Sequence, residues 1–212
     1  MSESLGPYFV WESYARGEDW RPFTDLLDPD VAAERVAVSR QALLTMFGLD
    51  GDVVPERVVA SVLFLGLAAR LVSPLLADAV LAGEVRAARP ADLWWKPVPG
   101  GPWPVACGPV PSAPASKLFE IGVEGLVAPL LEVFRARFRL SPQVLWGNVA
   151  SALGGAAGQL PADGWPVVAA LLERPPLAGM AVVGNRALTR RNCCLYYRIP
   201  GGGTCGDCVL RR

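Results

Sequence analysis

The sequence predicts a mainly α-helical body that carries a small cysteine-rich segment at its C-terminal end. Three observations point there. Apolar residues make up 52% of the 212-residue chain, enough for the core of one domain with a small appendage. Stretches rich in alanine, leucine and valine recur at helical spacing, bounded by proline and glycine. Four of the five cysteines fall within the last 20 residues, as Cys193-Cys194 and Cys205-Gly206-Asp207-Cys208. The natural division is a body over residues 1–185 and a C-terminal segment over residues 186–212.

The first 30 residues are aromatic (Tyr8, Phe9, Trp11, Tyr14, Trp20, Phe23) and lack a helical period, so they read as irregular. Asp30 stands before the run 31–47 and offers a side-chain acceptor to the first helical turn; Gly48 supplies the stop. Pro55 suits a first helical turn, where its missing N–H would be unpaired anyway. The stretch from Pro55 to about Ala82 is nearly all apolar and reads as a buried helix, bent or broken near Pro74. Residues 88–115, rich in proline and glycine and holding Trp94, Trp95 and Trp103, form a long connection with a short strand. Leu118, Ile121, Leu126, Leu130 and Phe134 restore the helical spacing over 116–139. Ser141-Pro142 opens a further helix to about Gly158. Another covers 165–173, ended by Pro175-Pro176.

Net charge is zero, so nothing favours bulk attraction to nucleic acid or a membrane. The neutrality conceals an asymmetry: residues 186–212 hold six arginines and one acid, a formal +5, against −5 in the rest. The N-terminal residues show no basic region followed by an apolar one, so no secretory signal is expected. The apolar stretch from Val58 to Ala69 is closed by Arg70 and is shorter than the roughly 20 residues that a bilayer span needs. The expectation is a soluble, cytoplasmic protein without a membrane span. A reducing compartment favours metal binding over structural disulfides.

The chain contains no histidine. That removes Ser-His-Asp and Cys-His catalysis, Rieske ligation and histidine-bound zinc. No phosphate-binding GxxxxGK[ST] loop occurs. Gly154-Gly155-Ala156-Ala157-Gly158 follows no strand and reads as close helix packing, so no nicotinamide or flavin site is expected. What remains is the cysteine cluster beside Pro200-Gly201-Gly202-Gly203. Four thiolates suit zinc or an iron–sulfur cluster. Cys205-x-x-Cys208 makes a chelating half-site, since Gly206 permits a tight turn. Adjacent side chains such as Cys193 and Cys194 point apart in an extended chain, which two metal centres accommodate more readily than one. Arg190, Arg191 and Arg198 offer opposite charge and hydrogen bonds that would tune a cluster's potential or dock a partner. Cys107 belongs to no spacing pattern and reads as a buried structural thiol. Tyr196 and Tyr197 read as strand residues that pack the segment on the body. Trp94, Trp95 and Trp103 are candidates for a pocket wall.

The run from Arg190 to Cys208, with its Cys-Cys-x10-Cys-x2-Cys spacing, resembles the C-terminal signature of the FhuF family of ferric-siderophore reductases. The resemblance implies a [2Fe–2S] cluster held by Cys193, Cys194, Cys205 and Cys208. It implies one-electron reduction of siderophore-chelated Fe³⁺, with the body over residues 1–185 docking the ferric siderophore. The electron would come from a separate donor protein, such as a ferredoxin or ferredoxin reductase. The close likeness spans about 25 residues. A structural zinc site of four cysteines on a binding protein, and a plain [2Fe–2S] electron carrier, are the alternatives.

Overall fold

A computed structural model describes residues 5–17, 19–98, 101–160 and 164–211. Arg212 of the basic tail, residues 99 and 100 of the long connection, and residues 1–4 and 18 of the aromatic N-terminal stretch lie outside them. The fold is mainly α-helical, as the sequence predicts. Helix α2 (Glu56–Ala82) forms its axis, and α1 (Pro29–Phe47), α3 (Ala128–Phe138), α4 (Pro142–Ala157) and α5 (Gly164–Leu171) pack around it. Among the described residues, α2 is the one helix long and apolar enough to cross a membrane. Instead 72% of its apolar window is buried within the protein. It is a core helix, which accords with a water-soluble fold.

The helix ends follow local chemistry. Asp28, not Asp30, caps α1: its carboxylate accepts from the amides of Asp30 (2.8 Å) and Val31 (3.5 Å). Pro29 occupies the first helical position, where its fixed φ fits and its missing N–H costs nothing, so the cap falls one residue before it. Gly48 ends α1 in the left-handed region at φ 59°, as expected. Ser141 caps α4 through the Val144 amide.

Helix α2 passes through Pro74 without a break. Proline in a helix orphans the carbonyl four residues earlier, here that of Arg70. The buried indole N–H of Trp11 donates to that oxygen at 2.8 Å. A side chain from the irregular N-terminal stretch thus replaces the missing helical bond. The span 116–139 is likewise not one regular helix. A short 3₁₀ turn (Ala115–Lys117) leads into a π-helix (Phe119–Val127) that continues as α3. Wider winding keeps Phe119, Val123, Leu126 and Val127 buried in succession.

The N-terminal stretch and the 88–115 connection are tied by strands. β1 (Glu12–Ser13), β5 (Val105–Cys107), β4 (Leu93–Trp95) and β2 (Arg21–Pro22) form a sheet in that order. The β1–β5 pair is parallel; β5–β4 and β4–β2 are antiparallel. β3 (Glu84–Arg86) pairs antiparallel with β6 (Ser112–Pro114). Cys107 sits buried in β5, and burial raises its thiol pKa. A hairpin, β7 (Ala181–Gly184) and β8 (Ala187–Arg190), precedes the cysteine segment and is turned at Asn185 and Arg186, both at positive φ.

That hairpin reaches the body through two glycines of α4. A Cβ at Gly154 would stand 2.7 Å from Leu188 of β8, and one at Gly147 would collide with the Asn192 side chain. Close packing is therefore the role of Gly154, as its sequence context suggests.

The Trp11–Pro74 relation is testable by a double-mutant cycle. Trp11→Phe is expected to lower stability by about 1 kcal/mol or more in urea titration, because a buried carbonyl loses its donor. In a Pro74→Ala background, where the restored backbone N–H at position 74 donates to the Arg70 carbonyl, the same change is expected to cost about 1 kcal/mol less. Equal costs in both backgrounds contradict the relation.

Candidate metal centre

Strand β8 delivers Arg190 to the interior, and the four C-terminal cysteines follow it. The Arg191 amide donates to the Met180 carbonyl, which closes the hairpin. Leu195 at φ 70° then reverses the chain directly after Cys194. Tyr196–Arg198 is consequently a 3₁₀ turn, not the strand expected for Tyr196 and Tyr197. Ile199 is buried and plugs the loop onto the core. Gly201 and Gly203, both at positive φ, carry the chain back to Cys205. The Cys208 amide donates to the Cys205 carbonyl at 3.3 Å, the tight turn that Gly206 permits.

Cys194 and Cys208 are buried, while Cys193 and Cys205 are half-buried. The sulfurs of Cys194 and Cys205 lie 3.5 Å apart. Backbone amides donate to two others: Leu195 N–H to Cys193 Sγ at 3.3 Å and Leu210 N–H to Cys208 Sγ at 3.4 Å. Burial, followed by the electrostatic influence of Cys194 and Cys208, raises the pKa of Cys193. Burial and the bond with Cys194 raise that of Cys205. Among the described residues, no three acidic, cysteine or histidine side chains converge on a single ion. Single-zinc chemistry requires four donors about one point at about 2.3 Å. Four cysteines in one short segment also match the thiolate donors of an iron–sulfur cluster.

Arg190 is fully buried, unusual for an arginine. Its Nη2 donates to Asn148 Oδ1 at 2.7 Å and, more weakly, to Asn192 Oδ1 at 3.5 Å. Its Nε stands 4.0 Å from Asp207 Oδ2, in the turn between Cys205 and Cys208. Nε and Nη1 have no hydrogen-bond partner among the described residues. Two uncommitted donors on a buried cation beside four thiols fit a bound anionic sulfur cluster, which offers both charge and acceptors.

The clamp extends into the body. Asn148 of α4 donates to the Ser61 carbonyl (2.9 Å) and hydroxyl (3.0 Å) of α2. The Ser61 hydroxyl donates to the Cys194 carbonyl at 2.8 Å. A buried polar chain thus runs Arg190–Asn148–Ser61–Cys194 and joins both long helices to the cysteine segment. Sequence reasoning singled out neither Ser61 nor Asn148. The available signal was a polar residue inside each of two largely apolar helical runs.

The other candidate residues divide. Arg191 and Arg198 are exposed, unlike Arg190. Arg198 Nε donates to the Tyr197 hydroxyl at 3.2 Å, and that bond raises the arginine's pKa. Trp95 is wholly buried and stacks on Trp103, ring centres 4.9 Å apart. Trp94 stacks on Tyr14 at 3.6 Å. Of the three, Trp103 lines a cavity beside α2.

The family model of the FhuF 2Fe-2S C-terminal domain matches residues 190–210, which include Arg190 and all four clustered cysteines. No curated protein matches the chain. The match makes the cofactor a [2Fe–2S] cluster.

Asn148→Leu preserves volume but strands the buried guanidinium. It is expected to cost about 2 kcal/mol or more in stability, together with loss of iron from the purified protein. Arg190→Gln removes positive charge beside the cluster, so the cluster's reduction potential is expected to become more negative in a redox titration. An unchanged potential contradicts the placement of Arg190.

Proposed function

We propose that this chain, whose C-terminal segment is a FhuF-type 2Fe-2S domain, is a cytoplasmic ferric-siderophore reductase. The observation that carries the reading is the matched four-cysteine segment set against a buried Arg190 and rimmed by exposed arginines. Cys193, Cys194, Cys205 and Cys208 are the proposed ligands. The cluster supplies one-electron transfer, the count required to take chelated Fe³⁺ to Fe²⁺. Hard oxygen chelators hold Fe²⁺ far less tightly, so reduction releases the metal.

The chain's own residues do the rest by position and charge. Arg190 balances negative charge from inside, and the Asn148–Ser61 clamp fixes the segment on the helices. Half-buried Cys193 and Cys205 bring the site within reach of solvent and partners. Exposed Arg191 and Arg198 form a basic rim suited to an anionic ferric chelate or to an acidic donor such as a ferredoxin. No acid–base residue is needed.

The test uses anaerobic, dithionite-reduced protein mixed with a ferric trihydroxamate and an Fe²⁺-trapping dye. Saturable reoxidation with one Fe²⁺ trapped per cluster is the expected result. Absence of saturable reoxidation reduces the protein to a plain electron carrier. Cys194→Ser is expected to abolish cluster colour; normal assembly without that thiol overturns the ligand set. Replacing Arg191 and Arg198 by Glu is expected to slow reduction by an acidic ferredoxin at low salt, with reduction by dithionite much less affected.

A further inference from the structure

A cavity of about 180 Å³ opens beside α2, lined by Tyr8, Leu63, Gly66, Leu67, Arg70 and Trp103 among others. Leu63, Gly66, Leu67 and Arg70 of α2 follow the i, i+3, i+4, i+7 spacing of one helix face, and Val62 joins them in the lining. Arg70 lies nine residues after Ser61, about 180° around the helix axis. The cavity is therefore on the opposite side of α2 from the clamp that holds the cysteine segment.

Arg70 is only 4% exposed. Its Nε and Nη1 are sealed from water and have no hydrogen-bond partner among the described residues. The Trp11 indole binds the Arg70 backbone carbonyl and leaves the guanidinium uncommitted. Glu12 and Tyr8 act on Arg70 only through space, and burial outweighs them in lowering its pKa. A buried cation without a counter-charge is costly and calls for an anion.

A second observation concerns Gly66, in the interior of the same helix. A Cβ built there meets no atom within 4 Å, and its φ lies outside the left-handed region. Neither packing nor backbone geometry requires glycine, which is unfavourable inside a helix. What glycine does provide is space in the cavity floor. The remaining walls are apolar and aromatic, with Trp103 held rigid against Trp95.

We propose that this cavity is a binding site for a small organic monoanion with a flat apolar body. Its carboxylate would pair with the charge of the Arg70 guanidinium, and its body would lie over Gly66 between Tyr8 and Trp103. One cation among apolar walls suits a single carboxylate, whereas phosphate needs more donors than the site offers.

The test titrates the cluster-loaded full-length protein with benzoate, acetate and inorganic phosphate, followed by calorimetry and tryptophan fluorescence. Saturable one-to-one benzoate binding is expected, at least tenfold tighter than either other anion. Gly66→Leu, which fills the cavity, is expected to weaken benzoate at least tenfold with helical content unchanged. Arg70→Met is expected to do the same without lowering the melting temperature, because it removes an unpaired buried charge. Failure of the wild type to bind benzoate at millimolar concentration overturns the proposal. So does undiminished binding by Gly66→Leu, a result that decides the matter even if Arg70→Met does not fold. Phosphate binding as tight as benzoate overturns the assigned ligand class.

Discussion

The burial of the Arg190 guanidinium is the constraint on which the metal segment depends. A buried cation is costly to a fold unless its donors are occupied and its charge is opposed. Asn148 occupies one nitrogen, and Asp207 stands within 4.0 Å of another. That nitrogen, Nε, is too far from Asp207 for a hydrogen bond, and it and Nη1 have no hydrogen-bond partner among the described residues. The same residue therefore ties the segment to α4 and would oppose the negative charge of a bound sulfur cluster. Ser61 completes the arrangement by binding the backbone of Cys194, so that the vicinal cysteine pair is fixed relative to the core helix.

This geometry divides the C-terminal arginines by burial. Arg190 lies inside, where a low local dielectric would strengthen its effect on a bound cluster. Arg191 and Arg198 lie in solvent, where individual charges contribute little to stability but influence encounter with charged partners. A sequence presents the three as one basic patch. The fold separates the inner charge from the outer rim.

The parts of the molecule legible in the sequence are those governed by short-range rules. Helical spacing locates α1, α2 and α4, and Gly48 and Ser141 mark boundaries through local backbone chemistry. The cysteine spacing, with its family resemblance, locates the cofactor segment. What escapes is set by contacts between distant residues. Nothing near Pro74 says that Trp11, 59 residues before Arg70, supplies the Arg70 carbonyl with a donor and lets the helix continue. The link between Ser61 and Asn148 spans 87 positions. The α1 cap moves from Asp30 to Asp28 because Pro29 takes the first helical position, and the turn at Leu195 makes a 3₁₀ segment of two tyrosines whose composition favours a strand. The tryptophans show both limits: Trp95 belongs to the core, Trp94 stacks on Tyr14, and Trp103 lines a cavity wall.

The most direct measurement is an anaerobic purification followed by an ultraviolet–visible spectrum, iron and acid-labile sulfide assays, and addition of dithionite. The account predicts red-brown protein with two irons and two sulfides per chain, bleached on reduction. A colourless protein that carries one zinc per chain after the same handling would contradict it and remove the basis for electron transfer.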